Sequence, residues 1–385
     1  MLDTPEALRR FVDENRDVEW MAFDTEFIGE KRYFTLLCLI QVATENGYYF
    51  IDPIAIENLD GFIDLLENPN ICKITHAGEN DYRLMYQEFE CIPKNVFDTQ
   101  VAAGFVGYPY PISFRGIVEG ETGIHIAKGF AVTDWERRPL QPKQLKYALE
   151  DVLYLREIQQ SLLQKLEASN RLDWAQTEFA VWETPDYYYR DPYADVFKGQ
   201  LINRLKTQDQ VFLLRLHDWR RGEAERRNHS KEMVLQSKLI APIVRAVPQG
   251  LKSMRNNRRL SDRLVDRHGK TFLGLYEDPP SPRELEVLER VPPRRAEEDP
   301  RYELMTEMLY LMVSYKCMEE DMAISIVLPR GVLKDMKADR DQKLPPELQS
   351  GWRRHFLGDD LVNWMENRDR LKLQFTDGKM ELQVV

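Results

Sequence analysis

Strand-like and helix-like patterns of apolar and polar positions alternate through the opening hundred residues. The stretch "VEWMAFDTEF" (18–27) is rich in Val, Trp and Phe and predicts a strand. Its side chains divide between two faces, with Trp20, Ala22, Asp24 and Glu26 on one and Met21, Phe23, Thr25 and Phe27 on the other. "LLCLIQVAT" and "GYYFIDP" predict two more strands. "LDGFIDLLEN" then predicts a helix, "ICKITHA" a strand, "DYRLMYQEFE" a helix and "NVFDT" a short strand. Three early strands followed by strand–helix alternation point to an α/β domain with a mixed sheet. From "QPKQLKYALEDVLYLREIQQ" onward the spacing becomes helical, through Leu145, Leu149, Val152, Leu153 and Ile158. Beyond about residue 170 the pattern predicts helices only. Joints are expected at 183–192 and at the charged, Pro-rich stretch 289–300.

The strand 18–27 poses a problem. Two carboxylates on one face, two residues apart, repel each other and resist burial. Either the face is a solvated sheet edge, or something positive sits against it. Candidate partners lie further along. Asp81 falls where a strand gives way to a helix after the Gly78 turn, while Tyr147 and Asp151 are four apart and share one helix face. If the sheet gathers these residues, their oxygens suit hard divalent cations, which remove the repulsion. Taken singly, Asp81 also reads as an acid favoured at a helix start and Tyr147 as a half-buried aromatic.

Charge adds a second theme. The net charge of −11 argues against a nucleic-acid partner, but residues 203–270 hold 17 Lys/Arg against 7 Asp/Glu, leaving the rest at 36 against 57. An acidic body thus carries one basic module. The 385 residues exceed one typical core and predict two or three domains. The four cysteines have no CxxC spacing and no apolar run is long enough to span a bilayer, so a cytoplasmic protein without disulfides or zinc is expected.

Asp24-Thr25-Glu26, His76-Ala77-Gly78 with Asp81, and Tyr147 with Asp151 resemble the three motifs of the DEDD exonucleases, in the subgroup with Tyr in the third motif. "LIQVA" (39–43), "FDTQ" (97–100), "TDWERRPL" (133–140) and Gln144 narrow the resemblance to the ribonuclease D family. "LHDWRRGEAERRN" resembles the start of an HRDC domain, and "LPPELQSGW" (344–352) a second, more divergent copy. The resemblance implies an RNase H-like α/β 3′–5′ exonuclease domain over 1–190, an HRDC domain over 203–282 and an HRDC-like helical domain over 300–385.

It also implies roles. Asp24, Glu26, Asp81 and Asp151 would hold two divalent cations, Mg²⁺ or Mn²⁺, and Tyr147 would orient the attacking water. His76 reads as a substrate contact or as a structural histidine, and Asp98 as a turn or capping residue. Trp135 and Arg138 read either as contacts to an RNA 3′ end or as packing of their loop, and Gln144 as a further substrate contact. Arg220, Arg221, Arg226 and Arg227, with Lys252, Arg255, Arg258 and Arg259, are placed to follow a phosphate backbone. Phe212, Leu213, Leu216 and Trp219 read as core. The expected activity is metal-dependent removal of nucleotides from RNA 3′ ends, tRNA precursors with 3′ extensions being the implied substrate. The alternatives are a DNA 3′–5′ exonuclease and a non-catalytic RNA-binding protein. A monomer without membrane attachment is expected.

Overall fold

The computed structural model describes residues 1–126, 133–199, 201–291, 300–338, 344–367, 371–376 and 379–384. The chain begins with helix α1 (Pro5–Asn15), whose first turn is closed by Thr4 accepting from the Ala7 amide. Strands β1 (Trp20–Ile28), β2 (Leu36–Thr44) and β3 (Gly47–Ile51) follow, then α2 (Asp60–Glu67), β4 (Cys72–Thr75), α3 (Glu79–Phe89) and β5 (Val96–Asp98). Five strands make one sheet in the order β3-β2-β1-β4-β5. β4 is parallel to β1, pairing Ala22 with Ile74, and β5 is parallel to β4. β3 returns antiparallel to β2 through the Glu45–Asn46 turn. The mixed sheet expected from the hydrophobic pattern is therefore present, with β1 at its centre.

Helices α4 (Thr99–Gly104), α5 (Phe114–Thr122), α6 (Pro142–Leu153), α7 (Leu155–Ala168) and α8 (Leu172–Phe179) complete the first part of the chain. Val152 and Leu155 pack on Ala22, Ala43 and Ile74, so the junction of α6 and α7 lies on the face of β1 that also carries Asp24. This packing brings the third motif to the first.

The chain divides into two compact units, and neither is contiguous. One comprises Met1–Thr25, Leu39–Tyr188 and Arg295–Val385. Within it the late helices dock on the α/β part. Arg353 forms a two-pronged ion pair with Glu178 at 2.9 Å for each prong, and Trp352 Nε1 donates to the same carboxylate at 2.8 Å. Arg171 links the Phe105 carbonyl (2.9 Å) to Glu320 (3.0 Å).

The other unit comprises Glu26–Cys38 with Tyr189–Arg294. Its core is a helical cluster containing Phe212, Leu213 and Leu216, with Trp219 packed against it, as the helical spacing predicts. The boundary between units runs through β1, so the strand itself carries one into the other.

The expectation of helices alone beyond residue 170 needs one correction. Leu371–Thr376 and Lys379–Val384 pair antiparallel, with Leu373 opposite Leu382. The period of two in "LKLQF" and the Asp377-Gly378 dipeptide carry that hairpin in the sequence. The expected joint at 289–300 falls largely on 292–299, outside the described residues. Among the described residues no helix is long and apolar enough to cross a membrane.

Candidate active site

β1 is buried from Met21 to Phe23 and again at Thr25, whereas Asp24 and Glu26 are half-buried and share a face. Their carboxylates lie with that of Asp151 in a group whose nearest oxygens are all within 4.8 Å of one another. Of the four acids expected to gather, these three converge in one such group, and Asp81 stands next to it. Asp81 lies in the first turn of α3, is 7% exposed, and accepts a short hydrogen bond from the hydroxyl of Thr25, the β1 residue between the two acids.

The placement of Asp81 follows from the "HAGEND" turn. A Cβ on Gly78 would lie 2.5 Å from Thr75 Oγ1, so only glycine lets α3 begin this close to the end of β4. Asp98, fully buried, holds the turn from the other side. It accepts from the amides of Gly78 (2.8 Å), Gln100 (2.9 Å) and Val101 (3.0 Å) and from Thr75 Oγ1 (3.2 Å). Asp98 is therefore the cap of α4, the role its sequence context predicts.

The site is electrostatically loaded. Burial pushes the Asp81 carboxyl up to about 6 against the hydrogen bond from Thr25. Burial likewise pushes Asp151 up to about 7, reinforced by the charges of Glu150 and Asp81 and opposed by a hydrogen bond from Tyr147. One oxygen of Asp151, Oδ2, is buried with no protein partner. A buried carboxylate oxygen left unpaired beside two further carboxylates is an unfavourable arrangement for the protein alone. An all-oxygen donor set with such an unmet acceptor fits a hard divalent cation.

The remaining first-domain candidates turn inward. His76 is half-buried and uses both ring nitrogens, Nδ1 with Thr99 Oγ1 (2.9 Å) and Nε2 with the Ile112 carbonyl (3.0 Å). Trp135 is 3% exposed and lies 6.2 Å from the Tyr147 ring, which leaves no face on which a base could stack. Arg138 grips the buried Asp52 carboxylate with Nε at 2.6 Å and Nη2 at 2.7 Å, while Nη1 donates to the Trp135 carbonyl at 2.7 Å. Gln144 is also buried; it accepts from the Gln141 amide (2.9 Å) and donates to the Asp134 carbonyl (3.2 Å). Trp135, Arg138 and Gln144 thus form a brace under the helix that carries Tyr147 and Asp151. Arg138 and Gln144 spend their polar atoms on neighbours within the protein, whereas the buried Trp135 Nε1 has no protein partner.

The arginines of the basic module divide in the same way. Arg220 is 6% exposed and donates to the Lys231 carbonyl (3.0 Å) and Glu232 (2.6 Å), so it staples its helix to the next turn of chain instead of facing solvent. Arg221 pairs with Asp218 (2.6 Å), and Arg226 and Arg227 both pair with Glu223 (3.0 and 2.5 Å). Lys252, Arg258 and Arg259 are exposed.

Comparison with known proteins places this geometry. Residues 1–167 match the 3′-5′ exonuclease family model and residues 209–276 the HRDC domain model. The chain is 29% identical to ribonuclease D of Gluconacetobacter diazotrophicus, covering 96% of this chain and 93% of that one. It is 34% identical to ribonuclease D of Nitrobacter hamburgensis over 60% of this chain and 62% of the relative. Among solved structures, Escherichia coli RNase D, described as an exoribonuclease involved in structured RNA processing, superposes with a TM-score of 0.80 at 26% identity, covering 94% of this chain and 97% of that one. A protein from Bifidobacterium adolescentis shares the fold with a TM-score of 0.66 at 18% identity. An exonuclease domain whose central strand carries the acidic pair, followed by an HRDC domain and similar to ribonuclease D along nearly its whole length, makes this chain a hydrolytic 3′–5′ exoribonuclease.

Proposed function

We propose that the enzyme removes nucleotides one at a time from RNA 3′ ends by two-metal phosphodiester hydrolysis, and that tRNA precursors with 3′ extensions are its substrates. The observation that carries the reading is the convergence of Asp24, Glu26 and Asp151 around an unpaired Asp151 oxygen. Asp24, Glu26, Asp81 and Asp151 would hold two divalent cations, which supply an activated water and stabilise the leaving 3′ oxygen. Tyr147 hydrogen-bonds Asp151 and would orient the water, a phenol being too weak a base at neutral pH to take its proton. Thr25 holds Asp81 beside the group. Lys252, Arg258 and Arg259, exposed on the HRDC domain, would follow the phosphate backbone of the RNA body.

The test is a 5′-labelled tRNA bearing a short 3′ extension, incubated with Mg²⁺, with Mn²⁺ and with EDTA beside the matching DNA. Stepwise shortening of the RNA that stops with EDTA and in Asp24→Asn is expected. Shortening of the DNA alone would refute the RNA assignment. A shortened single-stranded RNA with an untouched tRNA extension would refute the tRNA substrate.

A further inference from the structure

The connection from β1 to β2 leaves the strand of Asp24 and Glu26 at Ile28 and enters β2 at Leu36. It reads "GEKRYFT" (29–35), basic residues followed directly by aromatic ones. Such a loop would ordinarily be loose, since it contains no regular structure. Here it is pinned. Asn228 ends the helix Thr207–Arg227 in the left-handed conformation (φ 47°, ψ 47°), which asparagine tolerates better than most residues. Its Oδ1 accepts from the backbone amides of both Tyr33 (3.2 Å) and Phe34 (3.0 Å). Two residues on, the Ser230 amide donates to the Lys31 carbonyl at 3.0 Å, and Lys31 is itself left-handed at φ 63°.

Pinning the backbone in this way leaves one large ring outside. Phe34 is 51% exposed, standing edge-on to the half-buried Tyr33 at 5.0 Å between ring centres. Lys31, three residues before it, is exposed as well. An exposed aromatic ring on a fixed backbone is what single-stranded nucleic acid uses as a stacking step, because every base offers a π face; the exposed charges of the loop are mixed, Lys31 with Glu30. Pre-organisation matters to the strength of such a contact, since a mobile loop would lose entropy on binding.

We infer that the 29–35 loop is a platform for single-stranded RNA, with Phe34 stacking on a base of the 3′ segment and Asn228 acting as the positioning residue that holds the ring in place. The HRDC helix thereby serves the substrate path through its cap. This rests on the reading of the enzyme as one that takes in RNA 3′ ends.

The experiment measures the dissociation constant of a fluorescein-labelled single-stranded oligoribonucleotide in EDTA, and kcat and KM with Mg²⁺, for wild type and five variants. Phe34→Ala and Phe34→Leu should each weaken binding about five- to a hundred-fold, the span of base stacking on an aromatic ring, and raise KM with little change in kcat. Phe34→Trp should bind at least as tightly as wild type. Asn228→Gly keeps the left-handed turn but removes the acceptor. It should speed hydrogen exchange in the 29–35 segment and weaken binding by a smaller factor at an unchanged melting temperature. Asn228→Asp should rescue both. Equal affinity of Phe34→Ala and wild type would overturn the platform, as would full restoration by Phe34→Leu. A wild type that shortens RNA while Phe34→Ala matches it refutes only this inference. A wild type that neither binds nor shortens RNA refutes the functional reading beneath it.

Discussion

Arg138 offers a clean separation of two roles. In sequence it reads either as a contact to the RNA 3′ end or as packing of its loop; in the structure its guanidinium is paired with Asp52. The Asp52 side chain is 6% exposed and that of Arg138 26%, so the pair is shielded on both sides. Burial by itself pushes the Asp52 carboxyl up; the hydrogen bonds and charge of Arg138 outweigh it and hold the carboxyl below its ordinary value of 3.8. Arg138→Ala removes two charge-assisted hydrogen bonds to that carboxylate and strands it in the protein. Breaking one side of a buried ion pair costs about 3–5 kcal/mol, and the partial exposure of Arg138 points to the lower end. The variant should therefore melt several degrees below wild type in EDTA at pH 8.

The pH dependence gives a second, independent reading. In wild type the folded carboxyl titrates below the unfolded one, so its stabilising contribution is present above about 3.8 and is lost as pH falls through the lowered value. Without Arg138, only the backbone amides of Ile54 and Ala55 oppose burial, so the folded carboxyl titrates higher than in wild type. The gain in stability that wild type shows as pH rises through the carboxylate range should therefore shrink in the variant. Asp52→Asn in the Arg138→Ala background should recover most of the loss, because the stranded charge is gone. Differential scanning fluorimetry across pH 4–8 reads all of this. A variant that melts with wild type while KM for RNA rises tenfold would refute the reasoning and return Arg138 to the substrate.

Other consequences follow the same logic. Asp151→Asn should abolish turnover yet raise the melting temperature of the metal-free protein at pH 8, since it removes a carboxylate that burial has pushed up to about 7; a lower melting temperature in EDTA would contradict the picture of a strained acidic group. Tyr147→Phe should cut kcat while leaving RNA affinity nearly unchanged, and a pure affinity defect in binding assays would count against its role toward water. His217 is pulled down to about 4 by burial and then by Arg220, so its neutral form favours folding. The unfolded chain takes up that proton first, and stability should fall by up to about 3 kcal/mol as pH drops from 6.5 to 4, a slope that His217→Gln should flatten in urea titrations. Arg353→Ala should destabilise by about 2–3 kcal/mol through the stranded Glu178, and a shift within 0.5 kcal/mol, roughly the scatter of surface substitutions, would contradict the seam.

Much of the fold is legible because its signals are local. The period of two over 18–27 places Asp24 and Glu26 on one face without reference to any other residue, and the spacing of Tyr147 and Asp151 does the same on α6. The capping role of Asp98 is likewise readable from its place at a strand end. Arginine roles are another matter. Whether Arg220 faces RNA or Glu232 depends on how the chain turns twelve residues later, and whether Arg138 faces RNA or Asp52 on a contact across 86 residues. Residue type announces chemistry but not who receives it. Asn228 shows the reverse: nothing in "RRN" marks it beyond a helix stop, and its second task appears only when the 29–35 loop is beside it.

The discontinuity of the first unit has a consequence for how the protein is made. Residues 295–385 supply the groups that answer Arg171, Glu178 and the Gly104 carbonyl, whose partner is the Ala323 amide at 2.8 Å. During synthesis those surfaces emerge from the ribosome before their partners, because residues 189–294 of the other unit lie between them in the chain. Until Trp352 is made, Phe105 and Trp174 lack the ring that packs on both. Docking of residues 295–385 closes a chain loop that contains the other unit, at an entropic cost that grows only slowly with the number of residues enclosed. A chain ending before residue 295 would keep the acidic group but leave that aromatic flank without its partner.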